Sequence, residues 1–477
     1  MTRAVVVGSG PNGLAAATVL ARAGVDVTVF EAHAELGGGA RTIHSPLPGL
    51  IQDHCAAVHP MAAGSEYMAS WGLESRGVRW RRAPIDAAHP LDDGTIALLH
   101  QSIDETADGL GKDGWRWREM FGPAARRFAA LSDDIFQPML RMPRHPLLLA
   151  RFGLVAGPPP TWTRALLRTP QGRALFSGVA AHAINRIDRP LVGGIGAGII
   201  AAGHAVGWPV VEGGTGRLTD AIVAGLRDLG VRFETSTPIR MRRELPPHDI
   251  AMLDLHPRNV VPLYGDVLPR RIRDALARFR SGPAAFKLDL AVEGGIPWRN
   301  PEAASAGTVH LGGGAEEIAA TERGISLGRM PERPFVLVGQ QYVADPSRAD
   351  GEIKPVYAYA HVPAGYAGDA SGAILAQLER FAPGTRERIV AQAAQSPRDL
   401  AATNANFIGG DILTGAKSPI QFMFGPRVTS DPYHLGLPGV YLCSAATAPG
   451  PGIHGQSGVN AAHRALRALR RGRASAS

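Results

Sequence analysis

Cysteine is nearly missing from this chain: Cys55 and Cys443 are the only two in 477 residues. They lie too far apart to read as a disulfide framework, and neither sits in a Cys-x-x-Cys pair. The pattern excludes a stapled scaffold and a redox-active dithiol, and it fits a reducing compartment. Aromatic residues amount to 6%, too few to supply stacking platforms for nucleic acid. The net charge of +8 comes from scattered basic residues, apart from the run Arg464 to Arg473, so no nucleic-acid partner is expected. Asp53, His54, Cys55 and His59 lie close together, but so short a run cannot fold back into a tetrahedral site by itself, and no metal is expected. Long apolar runs are absent as well. The most apolar window, Leu191 to Val206, holds five glycines and His204 and is too short for a convincing membrane span. The first strand begins almost at once, leaving no room for a leader, and the expectation is a cytoplasmic protein. No repeat or low-complexity tract occurs, and nothing in the pattern fixes an oligomeric state.

What is present is concentrated at the start. Hydrophobic residues make up 45%, enough at this length for two or three domains. An apolar run, Val5 to Val7, leads into Gly8-Ser9-Gly10-Pro11-Asn12-Gly13, then a helix from Leu14 to Ala23 that stops at Gly24. A second strand, Val25 to Phe30, ends on Glu31. Gly8 permits a tight turn, Gly10 lets the backbone approach a pyrophosphate, and Gly13 lets helix pack on strand. Pro11 and Asn12 belong to the fingerprint just before the helix, whose free N–H groups and positive dipole end face phosphate. Glu31 stands where a carboxylate accepts from a ribose 2′-hydroxyl, which disfavours a 2′-phosphate. A second glycine cluster, Gly37-Gly38-Gly39, followed by Arg41, suits a loop crossing the pyrophosphate, with the guanidinium offsetting its charge. These features favour FAD.

Glu31 followed by Gly38-Gly39-Ala40-Arg41-Thr42 resembles the phytoene-desaturase and amine-oxidase group of flavoproteins. Leu437 to Ser444, then Thr447-Ala448-Pro449-Gly450-Pro451-Gly452-Ile453-His454-Gly455 and a helix from Gly458 to Leu469, are similar to the group's closing strand, loop and helix. The resemblance implies that Ser444, Gly452, Ile453 and His454 lie beside FAD. Gly207 to Gly216 resembles the group's return to the nucleotide domain. Gly307 to Gly313, Tyr359 to Pro363 and Asn404 to Asp411 resemble the phytoene-desaturase-like branch, which includes a mitochondrial animal oxidoreductase. The implied fold is α/β: a discontinuous Rossmann-type FAD-binding domain with an inserted α+β substrate domain and a helical cap. The expected segments are 1–64, 205–281 and 425–477 for FAD binding, 65–204 for a mostly helical cap, and 282–424 for a substrate-domain sheet. Within the second FAD segment a helix is expected from Arg217 to Leu229 and strands at Val231–Thr235 and Ile250–Leu255. The stretch Ser236 to His248 is shorter than is common in the group, with Ile239 a candidate adenine contact.

The chemistry is less legible. A flavin takes the hydride itself, so desaturation of a hydrocarbon needs little acid–base help. His454 is the first catalytic candidate, against the alternative of a histidine capping the next helix. His310 and His361 read as core or cleft residues in strands, and Asn404 and Asn406 as turn residues lining the cleft. The alternation around Lys287 points it at solvent. Arg141, Arg144, Arg151, Arg164, Arg168 and Arg173 mix with Leu147, Leu154 and Trp162, which fits either a solvated cap or contact with an anionic membrane surface. The expected activity is FAD-dependent desaturation or dehydrogenation of an apolar small molecule, with oxygen or a quinone as electron acceptor. An amine oxidase, a redox-neutral isomerase and a non-catalytic FAD protein remain as alternatives.

Overall fold

The structure is a computed structural model that describes the backbone of residues 1–474. The side chains at 163, 164 and 472–474 lie outside the described residues, and with them Arg164 and Arg473 of the two arginine groups.

A five-stranded parallel sheet runs in the order Val440–Leu442, Ile250–Leu253, Arg3–Val7, Asp26–Phe30, Arg232–Glu234. Its strands are short and apolar because both faces are covered. The alternation along the first strand sends Ala4 and Val6 to one core and Val5 and Val7 to the other. On the first face lie helices Pro11–Arg22, Gly216–Asp228 and Gln456–Ala474, packed through Leu14, Leu20, Ile222, Leu226 and Ala461. On the second lie Pro257–Tyr264 and Arg270–Ala277, packed through Leu263 and Leu276. This is the α/β arrangement expected, and the expected strand from Ile250 pairs with Arg3–Val7.

A seven-stranded sheet forms the second layer system, in the order Ile389–Gln395, Ala284–Glu293, Ile353–Val362, Val336–Gly339, Ala306–Leu311, Ile85–Pro90, Ile96–Leu99. All neighbours are antiparallel except Ala306–Leu311 with Ile85–Pro90. The last two strands lie within the segment expected to be mostly helical: the hairpin turns at Gly94, φ +85°, with Asp93 Oδ1 accepting the Thr95 N–H at 2.9 Å. Helices Gly114–Arg126, Pro146–Ala156, Pro170–Ala180 and Gly193–Val206 cover it, around Trp117, Phe121, Phe176 and Ile200. No helix among the described residues is long and apolar enough to cross a membrane.

Candidate dinucleotide and substrate site

The glycine fingerprint is folded tightly around one residue that the sequence reading did not single out. Gly8 holds φ +98°, and a side chain on it would begin 2.7 Å from the Asp254 carbonyl oxygen. A side chain on Gly10 would begin 2.5 Å from Asp254 Oδ2. One on Gly13 would strike the Gly8 carbonyl. Asp254 follows the strand Ile250–Leu253, its Oδ2 accepts the Gly13 N–H at 2.9 Å, and its backbone oxygen accepts from Asn406 Nδ2 at 2.9 Å. Burial, then the nearby Glu31 carboxylate, push the Asp254 acid up to about 7.

Glu31 is fixed by three donors: the Ser9 N–H at 2.9 Å and hydroxyl at 2.6 Å on Oε2, and the His33 N–H at 2.9 Å on Oε1. The second glycine loop lies directly on the first, since a side chain on Gly38 would begin 3.1 Å from the Gly10 Cα. Arg41 is buried behind it. Its Nε donates to the Gly38 carbonyl at 2.8 Å, Nη2 to the Thr403 carbonyl at 3.1 Å, and Nη1 meets His33 Nδ1 at 2.7 Å. Burial lowers its pKa from the usual arginine value, opposed by Glu35 and Glu31.

Most of these residues line one cavity of about 1120 Å³, with Ser9 and Gly13 behind its wall. Gly8, Gly10, Pro11, Asn12, Glu31, Gly38, Gly39 and Arg41 form one part; Ser444, Gly452, Ile453 and His454 form another. Ile239 and Asn404 line it too. The loop before the last helix is tightly wound: Gly452 has φ +147° and Ile453 φ +62°, a costly conformation for a β-branched residue. His454 Nδ1 accepts the Gln456 N–H at 3.1 Å, which is the capping role, and burial lowers the imidazole to about 4. It is a neutral ring, 4.7 Å centroid to centroid from Phe136.

Other candidates go elsewhere. Lys287 does not face solvent: its Nζ is buried, donates to the Asp53 carbonyl at 2.9 Å and pairs with Asp289 Oδ1 at 2.8 Å. Both faces of its strand are covered, so alternation cannot send it to water. Asp53 pairs with the fully buried Arg348 at 2.6 Å, and His59 Nε2 meets Thr215 Oγ1 at 2.9 Å. His54 Nε2 meets Thr403 Oγ1 at 3.2 Å. His361 Nδ1 lies 2.6 Å from Glu322 Oε1 in the core. Cys55 lines the cavity, but burial raises its thiol to about 11, so it is uncharged at neutral pH.

The parts fit a dinucleotide. A helix N-terminus, a glycine cradle that side chains would fill, a buried Asn12 whose Oδ1 has no partner and one guanidinium converge on the same end of the cavity. Residues 6–71 match the family described as NAD(P)-binding Rossmann-like domain. The pyridine nucleotide-disulfide oxidoreductase domain-containing protein 2 of Rattus norvegicus is 24% identical over 558 residues, spanning 98% of this chain and 94% of that protein. Hydroxyneurosporene desaturase of Cereibacter sphaeroides is 28% identical over 261 residues, half of each chain. These likenesses agree with the resemblance to phytoene-desaturase-like oxidoreductases read from the sequence. Solved structures share the fold. An oxidoreductase from Methanosarcina mazei superposes with a TM-score of 0.62 at 14% identity, over 97% of this chain and 100% of that one. Putrescine oxidase bound to putrescine gives 0.61 at 16%, over 98% and 99%.

Proposed function

We propose that this oxidoreductase carries FAD and desaturates or dehydrogenates an apolar, lipid- or isoprenoid-like molecule. The observation that supports the reading is the cavity, whose glycine-lined end suits a pyrophosphate and part of whose remaining wall is apolar. Leu149, Phe152, Ile195, Ile199, Leu337 and Tyr357 line that second part. When bound, FAD supplies hydride acceptance at its ring. The chain's own residues bind and orient: Gly10 and the helix N-terminus hold phosphate, Arg41 balances its charge, and Glu31, pinned by Ser9 and His33, accepts from the ribose. Ser444, Gly452 and Ile453 are assigned to the rest of the cofactor. His454 shapes the loop rather than moving protons, because its Nδ1 is committed to the helix cap.

Delivery of such a substrate falls to helix Pro146–Ala156. Leu149, Phe152, Gly153 and Ala156 line the cavity, while Leu147 and Leu154 stand 87% and 73% exposed on its outside. Arg144 and Arg151 flank them, and Met142 and Trp162 extend the exposed apolar surface. This composition suits an anionic membrane surface. Electrons would pass on to oxygen or a quinone.

A second reading, amine oxidation, has the likeness to putrescine oxidase and the cavity-lining Trp208, Tyr357 and Tyr359 behind it. Anaerobic mixing of the yellow protein with candidate lipids and with aliphatic amines separates the two. Bleaching by lipids supports the proposal, and bleaching by amines alone replaces it. A photoreduced sample that isomerises lipids without bleaching would indicate redox-neutral chemistry, and no change in either state would indicate a protein that keeps FAD for stability.

A further inference from the structure

One imidazole stands in the wall of the apolar part of the cavity. His182 sits in the short turn Ala181–Ala183, closed by Ile184 at φ +44°. Its ring meets Trp208 edge-on with centroids 5.8 Å apart. Its Nε2 is 2.8 Å from Nε2 of His310, which is wholly buried in the strand Ala306–Leu311. Two such nitrogens bond only if one carries the proton. The two arrangements present opposite characters to the cavity: His182 Nδ1 is an acceptor in one and a donor in the other.

His89 decides between them. Its Nε2 lies 2.8 Å from the Gly313 carbonyl oxygen, and a carbonyl only accepts, so His89 carries its proton on Nε2. Burial lowers His89 to about 4 and His182 to about 3, so both are neutral near pH 7, and His89 Nδ1 is a bare lone pair. That nitrogen and Nδ1 of His310 converge on Gly178, where an added methyl would lie 2.7 Å from the first and 3.1 Å from the second. Neither has a hydrogen-bond partner. Two lone pairs beside the same glycine repel each other, and a proton on His310 Nδ1 relieves that repulsion. His310 Nε2 is then the acceptor, His182 Nε2–H the donor, and His182 Nδ1 a lone pair with no protein partner among the described residues. No three histidine, cysteine or carboxylate side chains converge as a metal site among those residues. Among the described residues, the only carboxylates that line the cavity, Glu31 and Asp254, belong to its phosphate end. An ammonium group would have no counter-charge beside His182, whereas a neutral hydroxyl needs none.

We propose that His182 Nδ1 is the hydrogen-bond acceptor for a hydroxyl on an otherwise apolar substrate, held in that tautomer by His310 and His89 as positioning residues. The inference rests on the apolar-substrate reading above and narrows it to lipid-like alcohols. Calorimetry on the FAD-loaded protein with dodecanol, dodecyl methyl ether and dodecylamine tests it. Dodecanol should bind about tenfold tighter than the ether, a charge-free hydrogen bond's worth, and His182→Phe should remove that difference while leaving ether binding in place. Equal binding of alcohol and ether, or tightest binding of the amine, would overturn the role of His182 alone. Binding of none of the three would overturn the apolar-substrate reading and the inference with it. Nitrogen NMR of histidine-labelled wild-type protein, with His182→Phe and His310→Asn to assign the signals, reads the tautomers without any ligand. It should find the proton on Nε2 of His182 and Nδ1 of His310, and the reverse pattern contradicts the proposal.

Discussion

The Asp254 carboxylate occupies the place where a side chain on Gly10 would begin: Oδ2 lies 2.5 Å from that point and accepts the Gly13 N–H at 2.9 Å. The second half of the nucleotide domain therefore reaches the glycine fingerprint through this acid. Gly10→Val must displace either that acid or the cofactor's phosphates. The variant is expected to purify without FAD and to remain colourless at micromolar cofactor. Full occupancy would break the assignment of the phosphate end.

The same acid makes cofactor binding depend on pH. Its folded-state pKa is raised to about 7 by burial and by Glu31. The stability it contributes is therefore complete below the ordinary carboxyl range and is lost as pH rises through about 7. A bound pyrophosphate adds further negative charge and raises that pKa again, so FAD affinity should be level below about 7 and fall above it, by up to about tenfold per pH unit for one proton. Fluorescence titration of FAD into apoprotein across this range should show the fall in wild type and a flat profile in Asp254→Asn. Parallel profiles would remove Asp254 from the linkage.

Arg41→Ala should weaken FAD binding by roughly 1.5–3 kcal/mol, the loss of a charge-assisted hydrogen bond, while backbone donors and helix dipole remain. Its contacts to the Gly38 and Thr403 carbonyls mean that loop mobility should rise in step. An unchanged dissociation constant would show that the guanidinium only braces the loop.

His454→Ala should cost about 1 kcal/mol of stability through the lost cap and leave the FAD spectrum in place. Thermal unfolding of the loaded protein checks the first part and its absorbance the second. Loss of turnover without loss of stability would restore His454 as a catalytic candidate.

Membrane contact is tested by flotation with anionic and neutral liposomes at low and high salt. Binding should be confined to anionic vesicles at low salt, each cation contributing roughly 1 kcal/mol near the surface, and Leu147→Ser with Leu154→Ser should abolish it. Equal behaviour in all four conditions would mark the arginines as a solvated face.

The sequence was most legible where structure is local. Gly8, Gly10, Gly13 and Glu31 lie within one strand–helix–strand unit, and each is where its spacing put it. Asp254 was not readable, because only pairing of Ile250–Leu253 with Arg3–Val7 carries it to Gly10. Lys287 misled because period-two alternation assumes a wet face, and its strand has none. The hairpin at Gly94 did carry a signal, Asp93-Gly94 between two short apolar runs, hidden by the helical pattern on either side. His182 had no signal, since its partners are 128 residues away in His310 and more distant in sequence than any periodicity reaches.

The identity of the cofactor is the claim on which the rest depends. Denaturing the purified protein with acid and analysing the supernatant tests it directly. About one FAD per chain should be released, with no colour in the precipitate, because both cysteines are uncharged thiols and His454 is committed to a helix cap. Release of NAD(P) in place of FAD, or no dinucleotide at all, would contradict the account. Colour retained in the precipitate would mean covalent attachment, with Cys55 and His454 the first residues to replace.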